Sequence, residues 1–224
     1  MKSVIFFHRS VGHNLIRDGN LYELIDKTGR FTFSDYDQNT DTLSGPHDQS
    51  KPGFIFPGGD TKPESYTVIF PQTTLEQYQP IQELALQHDV IIIKSCYPNS
   101  NITSNAELSV IKQHYQTIAD FFVAHPHKML VILTSPPLRP LMTKPDRAVR
   151  ARSLATWLAT TNFGSNVTVF DFFDHLAAPQ NNPQPNVLKK RYRRWLPFDS
   201  HPNANASQQI APELVEFLAR SMPK

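Results

Sequence analysis

Short apolar runs alternate along the chain with longer segments in which apolar residues recur at helical spacing. Most of the short runs are continuously apolar, which is typical of strands buried on both faces of a sheet. One of them, residues 31–36, instead alternates apolar and polar positions, a pattern that also favours a strand. The predicted strands are residues 4–7, 31–36, 90–93, 129–133 and 167–170.

The segments between these strands predict helices, and two polar stretches predict loops. Gly29 is a suitable end for the first helix, because glycine readily adopts the left-handed conformation that closes many helices. Residues 38–63 are rich in Asp, Asn, Gly, Pro and Ser, and a loop of that length is more often functional than idle. The predicted helices cover residues 15–25, 74–87, 105–124, 147–159 and 205–219, and the second loop covers residues 178–185.

This order of elements predicts an α/β fold. Strands that are joined through helices form right-handed crossovers, so the sheet should be mostly parallel with helices on both faces. We therefore expect a flavodoxin-like, three-layer α/β/α arrangement around a five-stranded sheet, formed by one domain of residues 1–224. In such sheets ligands bind beyond the carboxyl ends of the strands. The places to examine are Ser10, the 38–63 loop, residues 95–101 and residues 135–139.

The composition excludes several classes of site. The chain has 224 residues, of which 39% are hydrophobic, enough for a packed core. Its single cysteine, Cys96, excludes an internal disulfide framework and a zinc site built from several thiolates. There is no Gly-x-Gly-x-x-Gly fingerprint, no phosphate-binding glycine-rich loop and no His-Glu-x-x-His pattern. We therefore expect neither a nucleotide cofactor nor a metal.

The overall charge is nearly balanced, with 22 Lys and Arg against 20 Asp and Glu, and we expect no nucleic-acid partner. The basic residues are nevertheless concentrated in one segment, which we call the basic segment. It comprises Lys189, Lys190, Arg191, Arg193 and Arg194. Such a cluster attracts phosphate or an acidic glycan, although it is also what an ordinary solvated surface contains.

The hydropathy pattern also bears on location. No apolar stretch approaches the roughly 20 residues that a membrane-spanning helix needs. The apolar run of residues 4–7, which follows Met1 and Lys2, is too short for the core of a signal peptide. We therefore expect a cytoplasmic protein, and the small net charge without a heptad pattern favours a monomer.

Two segments, far apart in the sequence, carry candidate chemistry. Ser10 follows the first predicted strand, where the start of a helix would present unpaired amides to an oxyanion. Taken alone, such a serine is more often a simple helix cap. Asp199 and His201 precede the last predicted helix, and an Asp-x-His turn lets the carboxylate orient the imidazole. Taken alone, this turn is also an ordinary way into a helix. Because a serine nucleophile needs a base, each segment supplies what the other lacks.

These two segments resemble the first and last sequence blocks of the SGNH/GDSL hydrolase superfamily, and the resemblance extends over essentially the whole chain. Residues 94–100 stand where that family has its oxyanion loop, and residues 134–137 where it commonly has a Thr-Pro-Pro-like turn. Residues 151–158 and 169–171 are similar to a little-characterised bacterial branch of the family. The resemblance implies a serine hydrolase with Ser10 as nucleophile, His201 as base and Asp199 as the residue that orients the imidazole.

The sequence departs from the family pattern in three blocks. The usual Gly-Asp-Ser reads His8-Arg9-Ser10, so that a cation precedes the serine. The Gly-x-Asn-Asp pattern after the third strand is absent, and Asn99, Ser95 or a backbone amide could replace its oxyanion-binding Asn. The glycine of the second block is Gly58 or Gly59. One further candidate for contact with substrate is His13, one helical turn beyond Ser10.

Three functions compete on this evidence. The leading one is hydrolysis of a short acyl ester, such as an acetyl group on a sugar or a similar small-molecule carrier, and the sequence does not separate it from acyl transfer. The second is a non-catalytic binding module on the same fold, which would recognise an acidic ligand through the basic segment. The third is cleavage of a phosphate ester, which would need a metal or several convergent cations. Only the basic segment favours this third function.

Overall fold

A seven-stranded sheet runs through the centre of the computed structural model, which describes residues 1–58, 61–71 and 75–222. In space the strands lie in the order β4-β3-β2-β1-β5-β6-β7, and the five from β2 to β7 are parallel. The strands are β1 Lys2–His8, β2 Phe31–Asp37, β3 Thr42–Ser44, β4 Gln49–Ser50, β5 Val90–Lys94, β6 Met129–Leu133 and β7 Val167–Phe170.

Helices cover both faces of this sheet, which confirms the predicted three-layer arrangement. Alternate residues of β1 point to opposite sides: Val4 and Phe6 join the core beneath α1, α2 and α8, whereas Ile5 and Phe7 join the core beneath α3 to α6. The helices are α1 Ser10–Arg17, α2 Leu21–Asp26, α3 Pro63–Ile69, α4 Gln79–Leu86, α5 Asn105–Val123, α6 Pro145–Thr160, α7 Phe172–Leu176 and α8 Ala204–Ser221.

The predicted strand count was too low, because the 38–63 loop contains two short strands. β3 and β4 extend the sheet antiparallel beyond β2, through pairs such as Tyr36 with Leu43 and Ser44 with Gln49. Neither strand is longer than three residues, and neither has an apolar pattern, so periodicity could not reveal them. The same loop also ends in α3, whose first residue is Pro63, a favoured position for proline in a helix.

Two helix predictions need correction. The first helix is in fact two, because Asn20 between them adopts the left-handed conformation (φ 54°), which asparagine tolerates better than most residues. The segment predicted as a helix over 74–87 begins as a 3₁₀ turn, Glu76–Tyr78, and becomes α-helical only in α4; Thr74 lies outside the described residues. The short helix α7 was not predicted. None of the helices that the structure describes is long and apolar enough to cross a membrane.

Candidate active site

Ser10 is the first residue of α1, immediately beyond the carboxyl end of β1. The residue at the N-cap position is Arg9, so the hydroxyl of Ser10 does not cap the helix. The first helical amides to be paired are those of Gly12 and His13, which donate to the Arg9 carbonyl at 2.7 and 3.1 Å. Within the described part of the chain, the amides of Ser10 and Val11 and the Ser10 hydroxyl have no hydrogen-bond partner. The helix start therefore presents one hydroxyl and two free N–H groups at the sheet edge.

Asp199 and His201 form a hydrogen-bonded pair in the turn before α8. The Nδ1 atom of His201 lies 2.5 Å from Oδ1 of Asp199, and the same oxygen accepts the His201 backbone N–H at 2.9 Å. Burial raises the pKa of Asp199, but the two bonds from His201, with the charge of Arg194 3.6 Å away, outweigh it and lower that pKa below its ordinary value. Among the described residues the other ring nitrogen, Nε2, has no partner. The imidazole is therefore oriented through one nitrogen and available at the other.

The turn is fixed from several sides. The buried Ser200 hydroxyl accepts the Arg139 amide at 3.1 Å, and the Arg139 guanidinium donates to the carbonyls of Arg194, Leu196 and Asp199. The side chain of Asn203 accepts the Ala206 amide at 3.1 Å and so caps α8. The segment is consequently a helix-capping turn and the carrier of an aligned Asp–His pair at the same time.

Tyr97 brings the His201 ring to the middle of the sheet edge. The two rings meet edge to face, with centroids 4.9 Å apart. Tyr97 begins the 3₁₀ turn Tyr97–Ser100 after β5, and β5 is the neighbour of β1, the strand that leads to Ser10. Ser10 therefore follows one of two neighbouring strands and His201 contacts the turn that follows the other, with no hydrogen bond between Ser10 and His201 in the part of the chain that the structure describes.

The other predicted site residues are distributed unevenly around this edge. Asn99 is half-buried in the same 3₁₀ turn as Tyr97. The Ser95 hydroxyl, by contrast, is buried 2.9 Å from the Tyr115 hydroxyl on the α5 side, so it is committed to the core. His13 is half exposed, with Nδ1 3.6 Å from Oδ2 of Asp37 at the end of β2. Gly59 lies outside the described residues.

A buried polar network behind Ser10 was missed in the sequence. His8, fully buried at the end of β1, pairs through Nε2 with Oδ2 of Asp35 at 2.8 Å, and Oδ1 of Asp35 accepts the Tyr22 hydroxyl at 2.6 Å. A Cβ atom at Gly12 would lie 2.3 Å from Cβ of His8, so α1 can approach this network only with glycine there. The available signal was strand parity: His8 falls on the same face of β1 as Val4 and Phe6, and Asp35 falls on the same face of β2 as Phe31 and Phe33.

Lys94 is a second buried polar residue at this edge that the sequence did not single out as a separate feature. Its ammonium nitrogen lies 3.2 Å from the Ser95 carbonyl oxygen and 3.6 Å from the sulfur of Cys96. Burial lowers the pKa of Lys94, and the nearby charge of Arg9 acts in the same direction while Cys96 opposes it. No carboxylate is within salt-bridge distance among the described residues, which is unusual for a buried lysine.

A small cavity of about 160 Å³ lies on the β2 side, with Arg9, the residue before Ser10, in its wall. Its wall combines the guanidinium of Arg9 with aromatic rings and with polar side chains from the 38–63 segment. The lining residues are Arg9, Tyr36, Gln38, Asp41, Phe54, Phe56 and Gly58. The predicted loop therefore contributes one wall of a cavity that also contacts the residue before the candidate nucleophile.

The sheet with helices on both faces defines a class of fold, the three-layer α/β/α sandwich, here with a serine directly after the first strand. No family model matches this chain, and no curated protein matches it in sequence. Among solved structures, a GDSL-like lipase from Bacteroides thetaiotaomicron has a TM-score of 0.53 and 9% sequence identity, over 97% of this chain and 89% of that one. A candidate acylhydrolase from Bacteroides fragilis has a TM-score of 0.46 and 12% identity, over 96% and 88% of the two chains. The chain has the fold of the SGNH/GDSL-like hydrolases.

Proposed function

We propose that the protein is a serine esterase that removes a short acyl group from a small-molecule or glycan ester. Ser10 attacks the acyl carbonyl, His201 accepts the hydroxyl proton and returns it to the leaving alcohol, and Asp199 orients the imidazole. Water then repeats the sequence on the acyl-enzyme and restores Ser10. Acyl transfer differs only in that another alcohol takes the place of water.

The observation that carries this proposal is the state of the His201 ring. Its Nδ1 atom is paired with Asp199 at 2.5 Å, while Nε2 has no partner among the described residues. A general base needs this combination, because one nitrogen must be fixed for the other to take a proton in a defined direction. The Ser10 hydroxyl, also without a partner in the described chain, supplies the proton at the neighbouring strand end.

The start of α1 supports the same chemistry. The amides of Ser10 and Val11 have no partner among the described residues, and they lie where the positive end of the helix dipole favours an anion. We assign the oxyanion to these amides, with Asn99 as the side-chain donor from the turn after β5. Ser95 is a weaker choice, because its hydroxyl is paired with Tyr115 in the core.

The cavity that Arg9 lines supports a short acyl group. A volume of about 160 Å³ suits a group of a few heavy atoms better than a long hydrocarbon chain. Its wall combines two rings of the 38–63 segment, Phe54 and Phe56, with the polar side chains of Arg9 and Gln38. This mixture fits an acetyl group on a hydroxylated carrier such as a sugar better than a wholly apolar ligand.

The test is labelling by a fluorophosphonate probe, together with hydrolysis of an aryl acetate and an aryl octanoate. Wild-type protein is compared with Ser10→Ala and His201→Ala, and with Ser109→Ala on the exposed face of α5 as the matched control. We expect labelling and acetate hydrolysis to be lost in the first two variants and retained in the control, with the acetate preferred to the octanoate.

Circular dichroism and thermal unfolding establish that each variant is folded. If folded wild-type protein neither labels nor cleaves either ester, the esterase proposal fails and the non-catalytic binding module takes its place. If Ser10→Ala still labels, the nucleophile is another residue. A preference for the octanoate would contradict only the assignment of a short acyl group and would leave the esterase proposal in place.

A further inference from the structure

An exposed apolar segment lies between the basic segment and the candidate Asp–His pair. Trp195 is 92% exposed, Phe198 69% and Leu196 56%. The Arg139 guanidinium, which donates to the carbonyls of Arg194 and Leu196, connects this segment to the 3₁₀ turn Pro140–Met142, where Leu141 is 68% exposed. Large apolar side chains gathered in this way, instead of scattered singly, mark a surface that contacts another apolar phase or molecule.

The basic segment, directly before these residues, carries a local excess of positive charge. It lines a cavity of about 570 Å³ with the side chains of Lys189, Lys190, Arg191 and Arg193, and no acidic residue is among the described lining residues. Burial lowers the pKa of Lys189, and the charge of Arg191 acts in the same direction, while Asp174 and Glu213 oppose the shift. Burial and the charge of Arg139 lower the pKa of Arg193. The cations therefore repel one another, and an anion brought to this surface would relieve the repulsion.

We propose that residues 189–198 are a docking surface for an anionic phospholipid membrane, with the basic segment against the headgroups and Trp195, Leu196 and Phe198 inserted among them. Tryptophan is favoured at the boundary between headgroups and hydrocarbon, since its ring is amphipathic. Basic side chains add attraction to anionic lipid that falls with salt. A soluble polyanion would satisfy the cations but leave three large apolar side chains in water.

This docking surface does not depend on the proposed esterase activity. It leads without a break into Asp199, and an antiparallel bridge joins Arg193 to Pro202, the residue after His201. A membrane held by residues 189–198 would thus lie beside the edge of the sheet that carries the candidate site. The surface would bring the protein to lipid whether or not Ser10 reacts.

The chain provides its own reporter, because it has only two tryptophans, Trp157 and Trp195. Trp157 is half-buried against Phe163, and its replacement in Trp157→Phe leaves the exposed Trp195 as the single source of tryptophan emission. We expect the emission of this variant to shift to shorter wavelength on vesicles of phosphatidylcholine with phosphatidylglycerol, and to stay unchanged on phosphatidylcholine alone. Co-sedimentation of wild-type protein with the same vesicles repeats the test without any substitution.

Matched variants separate the two contributions. The double substitution Lys190→Gln with Arg191→Gln should weaken partitioning into the anionic vesicles about tenfold or more at low salt. The control, Lys2→Gln with Lys51→Gln, removes two exposed cations elsewhere and should change little. Leu196→Ser with Phe198→Ser should weaken binding at every salt concentration, whereas Val149→Ser, an exposed valine of α6, should not.

Three results would overturn the proposal. The first is no sedimentation of wild-type protein with either type of vesicle. The second is equal binding to both types, which would remove the role of the cations. The third concerns soluble tripolyphosphate. If it binds wild-type protein through Lys190 and Arg191 and vesicle binding continues in its presence, the cations belong to a site for a soluble anion and not to the membrane surface.

Discussion

The imidazole of His8 and the carboxylate of Asp35 form a pair at 2.8 Å beneath the start of α1. His8 precedes Ser10 by two residues in the chain. Both side chains are almost completely buried, and the Tyr22 hydroxyl donates to the other oxygen of the carboxylate. The start of α1, which carries the candidate nucleophile, therefore packs on a buried polar pair. Leaving either member of that pair without a partner would cost folding free energy.

Asp35→Ala should lower the free energy of unfolding by about 3 kcal/mol, because it leaves the buried Nε2 of His8 without a partner. The Tyr22 hydroxyl loses one of its two acceptors and keeps the Ser44 carbonyl, 3.0 Å away. Asp35→Asn, which keeps one acceptor oxygen, should cost less. Urea denaturation followed by circular dichroism measures both. The control is Asp26→Ala on the exposed side of α2, and an effect of Asp35→Ala as small as that of the control would contradict the proposed network.

Asp199→Asn should reduce acetate hydrolysis by about 10²- to 10⁴-fold with little loss of stability, because an amide can hold the imidazole in the wrong tautomer. In wild-type protein the pKa of Asp199 lies below the ordinary 3.8. The carboxylate is therefore charged above about pH 4, and any stability it contributes is complete there and is lost only as the pH falls through the lowered pKa.

It follows that a fall in wild-type activity between about pH 5 and pH 7 must come from a group other than Asp199. A pH–rate profile of the wild type checks this point. A profile whose acid limb disappears in Asp199→Asn, while the rate at neutral pH is unchanged, would contradict the role assigned to the carboxylate.

Tyr97→Leu should slow fluorophosphonate labelling by about tenfold, because it removes the ring whose edge fixes the His201 imidazole. Tyr97→Phe keeps the ring and should label at close to the wild-type rate. The comparison uses labelling rates at several pH values, with thermal unfolding as the check on folding. Equal effects of Leu and Phe would mean that the hydroxyl, and not the ring, is what matters at this position.

Lys94→Met should raise the free energy of unfolding at pH 7 by about 1–3 kcal/mol, because it replaces a buried amine that has no carboxylate partner in the described chain with an apolar group of similar length. The folded-state pKa of Lys94 is below its ordinary value of 10.5, so between that lowered pKa and about pH 10.5 the unfolded chain holds a proton that the folded chain has released. The stability contributed by wild-type Lys94 must then rise with pH.

The advantage of Lys94→Met should accordingly shrink as the pH approaches about 10.5, where the unfolded lysine also becomes neutral. Guanidinium denaturation of both proteins between about pH 7 and pH 10 measures this difference. A stabilisation that stays constant over that range would show that the benefit is apolar packing alone.

The layered fold was predictable because its five parallel strands are continuous or alternating apolar runs, and the long helices have clear apolar periodicity. The sequence could not reveal β3 and β4, since Thr-Leu-Ser and Gln-Ser are held by pairing with β2 and with each other, not by a pattern of their own. Similarly, the break at Asn20 depends on one dihedral angle within an otherwise helical apolar pattern.

The candidate site, like the fold, could be predicted from the sequence only in part. The Asp199–His201 pair could be anticipated, because two residues of one turn must lie close together whatever the rest of the chain does. The contact of Tyr97 with His201 and that of His8 with Asp35 join segments that are distant in sequence, and they depend on which strands are neighbours and which face each side chain takes. Strand order is a property of the assembled sheet and not of any single segment.

The spacing between the two halves of the proposed centre has a consequence for the order of events during synthesis. Ser10 is made early and His201 almost two hundred residues later, and α8, which follows His201, packs against α1 and α2. Arg30, between α2 and β2, donates to the Ala219 carbonyl near the end of α8 at 2.7 Å. On the proposed mechanism, a nascent chain that ends before His201 holds the nucleophile without its base, so ester hydrolysis could begin only after the segment that leads into α8 has been made.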